Sequence, residues 1–288
     1  MRIASTAAAA AILILAMSSS AGDPPNSDDC ATATETLSET TFRAESWDPV
    51  VTMGRSLSDR YGINISVESP KWAFPLDTED VAAADSEFSA THNNIHYLVQ
   101  KRHALEIRFP TSEDGRPTDI PSLVQQVSDA ANKEMPYSYR VDALDGNAYA
   151  LVPTTTRNAD GRLEAATPLL DHKVTIPPAK RAITQHGNLL AAELSKQSGF
   201  DVACCESSVG GVPWGMAEIE FGAENKPARE ILRSLISLEQ QAQANSSGPW
   251  HPTYNHWVVR CDGTGTASCS ITVQGLSSCR YWRNPTGN

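Results

Sequence analysis

The residues whose types could do chemistry crowd into the C-terminal part of this 288-residue chain. His251, His256 and Cys261 recur at intervals of five in the segment HPTYNHWVVRC. A zinc site needs three or four convergent nitrogen and sulfur ligands, commonly at CxxC or HxxxH spacing. Neither spacing is present here, and strand positions five apart face opposite ways. The segment therefore reads as a loop histidine pair beside a disulfide, with no metal and no cofactor. Cys204 and Cys205 are adjacent. Thiol–disulfide exchange motifs place two residues between their cysteines, so this pair reads as structural. Residues 206–211 (ESSVGG) lack the G-x-S-x-G elbow that exposes a nucleophilic serine. No catalytic residue is assigned.

Aromatic residues supply the other candidates. Trp72 and Phe74 follow one strand-like run, and Trp214 follows another. Large aromatics dominate interface energetics, so these residues read either as a partner-contact surface or as caps over the end of the core. Trp250, Tyr254 and Trp257, with His251 and His256, form the densest aromatic patch. Stacking on a sugar ring is one use for such a patch, and hairpin packing is the other.

These residues need a compartment and a scaffold. The opening segment has Arg2, an apolar run over residues 7–17 and small residues at 18–21. That is the pattern of a signal peptide, too short for a permanent span, and it predicts an exported protein, periplasmic or secreted. Thirty-four acidic residues against 23 basic ones give a formal charge of −11. Phosphate binding needs clustered Lys and Arg, so nucleic acid is disfavoured as a partner. An even count of six cysteines in an exported chain predicts disulfides. Cys269 and Cys279 flank a short segment suited to a local bridge. Neighbouring strand residues point to opposite faces, so one of Cys204 and Cys205 is expected to pair with Cys261 and the other with Cys30.

The elements fall into two similar sets. Residues 57–68 read LSDRYGINISVE and residues 194–205 read LSKQSGFDVACC. Each follows helical apolar spacing, breaks at a glycine (Gly62, Gly199) and continues as an alternating, strand-like run. Asp48-Pro49 starts the first helix, with Val50, Met53, Leu57 and Tyr61 on one face. A short helix is expected over residues 78–88. Pro121 opens another helix, and Asp145-Gly146 marks a hairpin. In the second set, Pro177-Pro178 leads into a helix burying Ile183, Leu190 and Leu194. A further helix starts near Pro227 and buries Ile231, Leu232, Leu235 and Leu238. The expected organisation is a signal peptide (1–21), a flexible leader (22–39), module one (40–153), a connector (154–172), module two (173–261) and a tail with a local disulfide (262–288). The fold class is α+β. Each module packs two helices on a small mixed sheet in the order strand-helix-strand-strand-helix-strand.

This pattern resembles the secretin and TonB short N-terminal domain. The matching positions are Met53, Leu57, Ser58, Gly62, Ile65, Val67, Pro121, Val124 and Val127, and then Leu190, Leu194, Ser195, Gly199, Val202, Phe221, Pro227, Ile231, Leu232, Leu235 and residues 257–259. The chain also looks like exported bacterial proteins of unknown function that carry such modules. The resemblance implies docking to an envelope protein, without catalysis. No barrel or secretin ring follows module two, so the docking protein would be free-standing. The competing expectation is an envelope-modifying hydrolase, which would show a polar cluster with perturbed ionisation between the modules.

Overall fold

The computed structural model describes residues 31–35, 38–70, 77–80, 98–144, 147–158, 160–207, 215–244, 254–262 and 268–275. Strand β1 (Thr32–Glu35) pairs with β2 (Glu39–Ser46), which leads into helix α1 (Pro49–Tyr61) and strand β3 (Asn64–Glu68). A short pair, β4 (Thr78–Asp80) and β5 (Leu98–Gln100), precedes β6 (His103–Pro110), helix α2 (Ile120–Glu134) and the antiparallel strands β7 (Tyr139–Ala143) and β8 (Ala148–Pro153). Next come β9 (Thr155–Arg157), β10 (Leu163–Ala165) and a 3-10 turn at Leu169–Asp171. The second half runs β11 (Lys173–Ala182), α3 (Ile183–Ser198), β12 (Asp201–Ser207), β13 (Glu218–Pro227), α4 (Ala228–Ala244), β14 (Tyr254–Asp262) and β15 (Ser268–Gly275).

Local chemistry explains the helix ends. The Asp48 carboxylate accepts from the Val51 N–H, and Asp119 accepts from Ser122, as side-chain caps do. Pro49 and Pro121 occupy first turns, where a missing N–H costs nothing. Gly62 and Gly199 close α1 and α3 at φ of 70° and 73°, a left-handed conformation that other residues adopt reluctantly. Their N–H groups donate to the carbonyls of Ser58 and Ser195. Those serines also tie helix to strand. Ser58 Oγ donates to the Gly54 carbonyl and accepts from the Ile65 N–H, while Ser195 Oγ donates to Ala191 and accepts from Val202.

A six-stranded sheet in the order β12-β15-β14-β3-β8-β7 runs through both halves. β3 pairs in parallel with β8 and with β14, β12 pairs in parallel with β15, and the β7/β8 and β14/β15 pairs are antiparallel. Side chains alternate across a sheet. Tyr149, Leu151 and Val258 therefore enter the core built on α1 and α2, while Ala150, Val152, Trp257 and Val259 enter the core built on α3 and α4. The two helix pairs cover opposite faces of one sheet. At roughly 1.5–3 kcal/mol per fully buried large side chain, these apolar faces dominate stability, and the polar groups between them set geometry.

The mixed α+β class agrees with the sequence reading, and several of its details change. Residues 32–35 of the supposed leader form a strand. Residues 78–80 form a strand paired to β5 where a helix was expected, and residues 81–88 lie outside the described set. The connector carries the β9/β10 pair and buries Leu169 and Leu170. Pro177 and Pro178 sit inside β11, at a register shift opposite β13 that absorbs their missing donors. The supposed tail supplies β15, which lies between β12 and β14.

Candidate functional site at the junction of the halves

Glu68 ends β3, and strand alternation turns it away from Val67, toward the second half. There it meets Arg229, the second residue of α4. Arg229 Nε donates to Glu68 Oε1 at 2.7 Å and Nη1 to Asp171 Oδ1 at 2.7 Å, with Asp142 Oδ2 at 3.2 Å. Arg140, on β7, holds Asp142 through Nε at 2.9 Å and Asp171 through Nη2 at 3.1 Å. Glu68 is only 1% exposed and Arg229 is buried. Burial raises the Glu68 carboxyl above its ordinary range, against the pull of Arg229. Burial also works upward on Asp171, but hydrogen bonds and charge from Arg229 and Arg140 outweigh it and hold that carboxyl low. Desolvation opposes the charge on Arg229, and Glu68 and Asp171 more than compensate, so the guanidinium stays protonated.

The opposite face of the sheet carries a second set of cross-links. Arg260 Nε on β14 lies 3.4 Å from Asp48 Oδ2, the cap of α1, and the Ser69 N–H donates to the Val259 carbonyl at 2.9 Å. Burial raises the Asp48 carboxyl, with Arg260 opposing. On the Glu68 side of β3, Ser66 Oγ accepts from the Trp257 backbone N–H at 3.2 Å. Arg55 on α1 donates to Gln274 Oε1 at 3.3 Å, and His256 Nε2 lies 3.2 Å from the same oxygen. Burial, then the Arg55 charge, push the His256 imidazole down to about 4.

Chemically, the junction pairs a carboxyl raised by burial with one held low, a split found where proton transfer is arranged. A general acid must also reach the group it protonates, and Glu68 is enclosed. Removing one partner of such a buried pair typically costs about 3–5 kcal/mol, because the other charge stays buried. The arrangement acts as a clamp across the sheet.

The sequence-derived candidates scatter. His256 faces Gln274 and not Cys261. Cys261 is bonded to Cys269, its register partner on β15, with Cα atoms 4.0 Å apart. This replaces the expected Cys269–Cys279 bridge and removes Cys261 as a partner for Cys204 or Cys205. Those two are bonded to each other. Alternation had argued against that pairing. Cys205, however, adopts a left-handed φ of 77° at a bulge in β12, so alternation fails there. Trp257 is 0% exposed within the second core and has no face free for a sugar. Tyr254 opens β14 opposite Gly275. Trp72, Phe74, Trp214, Trp250, His251, Cys30 and Cys279 lie outside the described residues. Among the described residues no group of three His, Cys, Asp or Glu could hold a metal ion, and no helix is long and apolar enough to cross a membrane.

Sequence reasoning assigned no role to Glu68, Arg229, Asp171, Asp142 or Arg140. Ile63, Ile65 and Val67 alternate with Asn64, Ser66 and Glu68, the period of a half-buried strand. Nothing local reveals that α4 would bring Arg229 to Glu68. No known protein family, curated protein or solved structure matches this chain.

Proposed function

We propose that this is an exported, non-catalytic protein of the bacterial cell envelope, built from two copies of a unit like the secretin and TonB short N-terminal domain. It docks an envelope partner through its sheet edges. Support for two copies comes from equivalent bonds. Ser58 with Gly54, Ile65 and Gly62, and Ser195 with Ala191, Val202 and Gly199, make the same hydrogen bonds at the same relative positions. Pairing recurs too: β2/β6 and β11/β13 are antiparallel, and β3/β8 and β12/β15 are parallel.

The observation that carries docking is the use of β1. It adds a third strand to the β2/β6 pair, so this pair accepts an extended segment. Its counterpart, β11/β13, spans ten residues per strand and has no third strand among the described residues. Strand addition to such an edge gives affinity through main-chain hydrogen bonds. The occupant we favour is an extended segment of an envelope protein. Photo-crosslinkers placed at the exposed Glu220 on β13 and at the exposed Gln125 on α2 test this in envelope extract. The expected outcome is an adduct of reproducible mass from position 220 and none from 125. Equal labelling at the two positions, or none at either, would sink the reading.

A hydrolase acting between the halves is the second reading, favoured by the raised carboxyl of Glu68 beside the lowered one of Asp171. The enclosure of Glu68 weighs toward docking.

A further inference from the structure

The Cys204–Cys205 bond is unusual in what it fails to do. A disulfide stabilises by closing a loop of the unfolded chain, and the effect grows with loop length. Cys261–Cys269 closes a loop at a sequence separation of 8, whereas Cys204–Cys205 has a separation of 1 and encloses no loop. The fold nevertheless makes concessions to it. Cys205 sits at φ 77°, a region that non-glycine residues avoid. The β12/β15 ladder is interrupted between Cys204 and Glu206. On α3, Gly187 faces the pair: a Cβ there would overlap Cys205 Sγ, lie 3.2 Å from its Cβ and 3.4 Å from Cys204 Sγ. Glycine in mid-helix is unfavourable on its own account, so its place beneath the sulfurs is tied to them. Access is lopsided. β12 is one of the two edge strands of the six, Cys204 is partly exposed, and Cys205 is 7% exposed against the second core.

We propose that Cys204–Cys205 is a redox site that exchanges with a dithiol, entered at Cys204. A thiolate of the donor attacks Cys204 Sγ. The Cys204–Cys205 bond breaks, and Cys205 leaves as a thiolate and takes a proton. The donor's second thiol then attacks the mixed disulfide and releases Cys204 as a thiol. The donor ends as its own disulfide, and two electrons and two protons have passed to the protein. Reduction frees Cys205 from its left-handed conformation. The Cys261–Cys269 bridge joins register partners on two neighbouring strands inside the sheet and is not part of the exchange.

The experiment uses the full-length oxidised protein, titrated with dithiothreitol without denaturant, quenched with N-ethylmaleimide and mapped by peptide mass, with circular dichroism recorded at each point. The expected result is labelling of Cys204 and Cys205 at reductant concentrations at least tenfold below those that open Cys261–Cys269, with the folded spectrum retained. Opening of both bridges together, opening of Cys204–Cys205 only on unfolding, or an oxidised peptide map that lacks the 204–205 bridge would overturn the proposal. Gly187→Ala supplies a second readout. Its added methyl crowds the oxidised pair, so the variant should reach half-reduction at severalfold less dithiothreitol. An unchanged midpoint in a folded Gly187→Ala protein counts against the site.

Discussion

His256 shows at the scale of one residue how burial by the partner half sets ionisation. It lies on β14, beneath Arg55 of α1 and beside Gln274, and its imidazole titrates near 4 against about 6.5 in an unfolded chain. Above pH 6.5 the ring is neutral in both states. As pH falls through 6.5 the unfolded chain takes the proton first, so folding loses stability down to about pH 4, where the folded ring protonates as well. The loss attributable to this ring reaches about 3 kcal/mol at most. Urea midpoints of wild type and His256→Gln, compared between pH 7 and pH 4, should diverge at the upper end and converge at the lower. Parallel curves would remove His256 from the acid response. Raised carboxyls such as Glu68 and Asp48 bind protons more readily in the folded state and pull the other way, so the difference between the two proteins is the quantity to read.

At the scale of elements, the helix-to-strand joints are the most legible part of this chain and the easiest to test. The LS-x-x-x-G pattern ends a helix, turns through a left-handed glycine and aims a serine hydroxyl back at the next strand. Removing that hydroxyl leaves a strand N–H buried without its partner, which costs about 1–3 kcal/mol. Ser58→Ala and Ser195→Ala should each lower stability by that amount in chemical denaturation. A neutral result at either site would show that the serine's role there is different. Helices α1, α2, α3 and α4 were all readable, because caps, prolines and apolar spacing are local signals. β11 was legible only over residues 173–176, and β15 not at all. Pro177-Pro178 signals a helix start unless a bulged partner strand absorbs both missing donors, and residues 268–275 look like a tail until β12 and β14 flank them. The junction cluster failed to show for the same reason. Arg229 and Glu68 are 161 positions apart, and only the joining of the two halves through β3 and β14 brings them together.

For the whole molecule, that joining predicts a single folding unit. The two cores lie on opposite faces of the same six strands, so β8 serves both: Tyr149 and Leu151 on one side, Ala150 and Val152 on the other. Unfolding either half would strip a wall from the other and strand Glu68 or Arg229 without its counter-charge in an apolar setting. Native-state hydrogen exchange should therefore give the slowest amides of β3 and of β14 the same opening free energy. Arg229→Met removes the clamp from the second half only, at a cost of about 3–5 kcal/mol. If the halves are one cooperative unit, that loss appears in the first half as well, and the protected amides of β3, α1 and β8 all speed up together with those of β14. Adding Glu68→Gln to Arg229→Met removes the stranded charge and should recover part of the loss, the non-additivity expected of partners in contact. Independent opening, with β14 destabilised and β3 untouched, would mean that the shared sheet couples the halves in geometry but not in energy. The rigid platform that the proposed docking calls for would then have to come from each half alone.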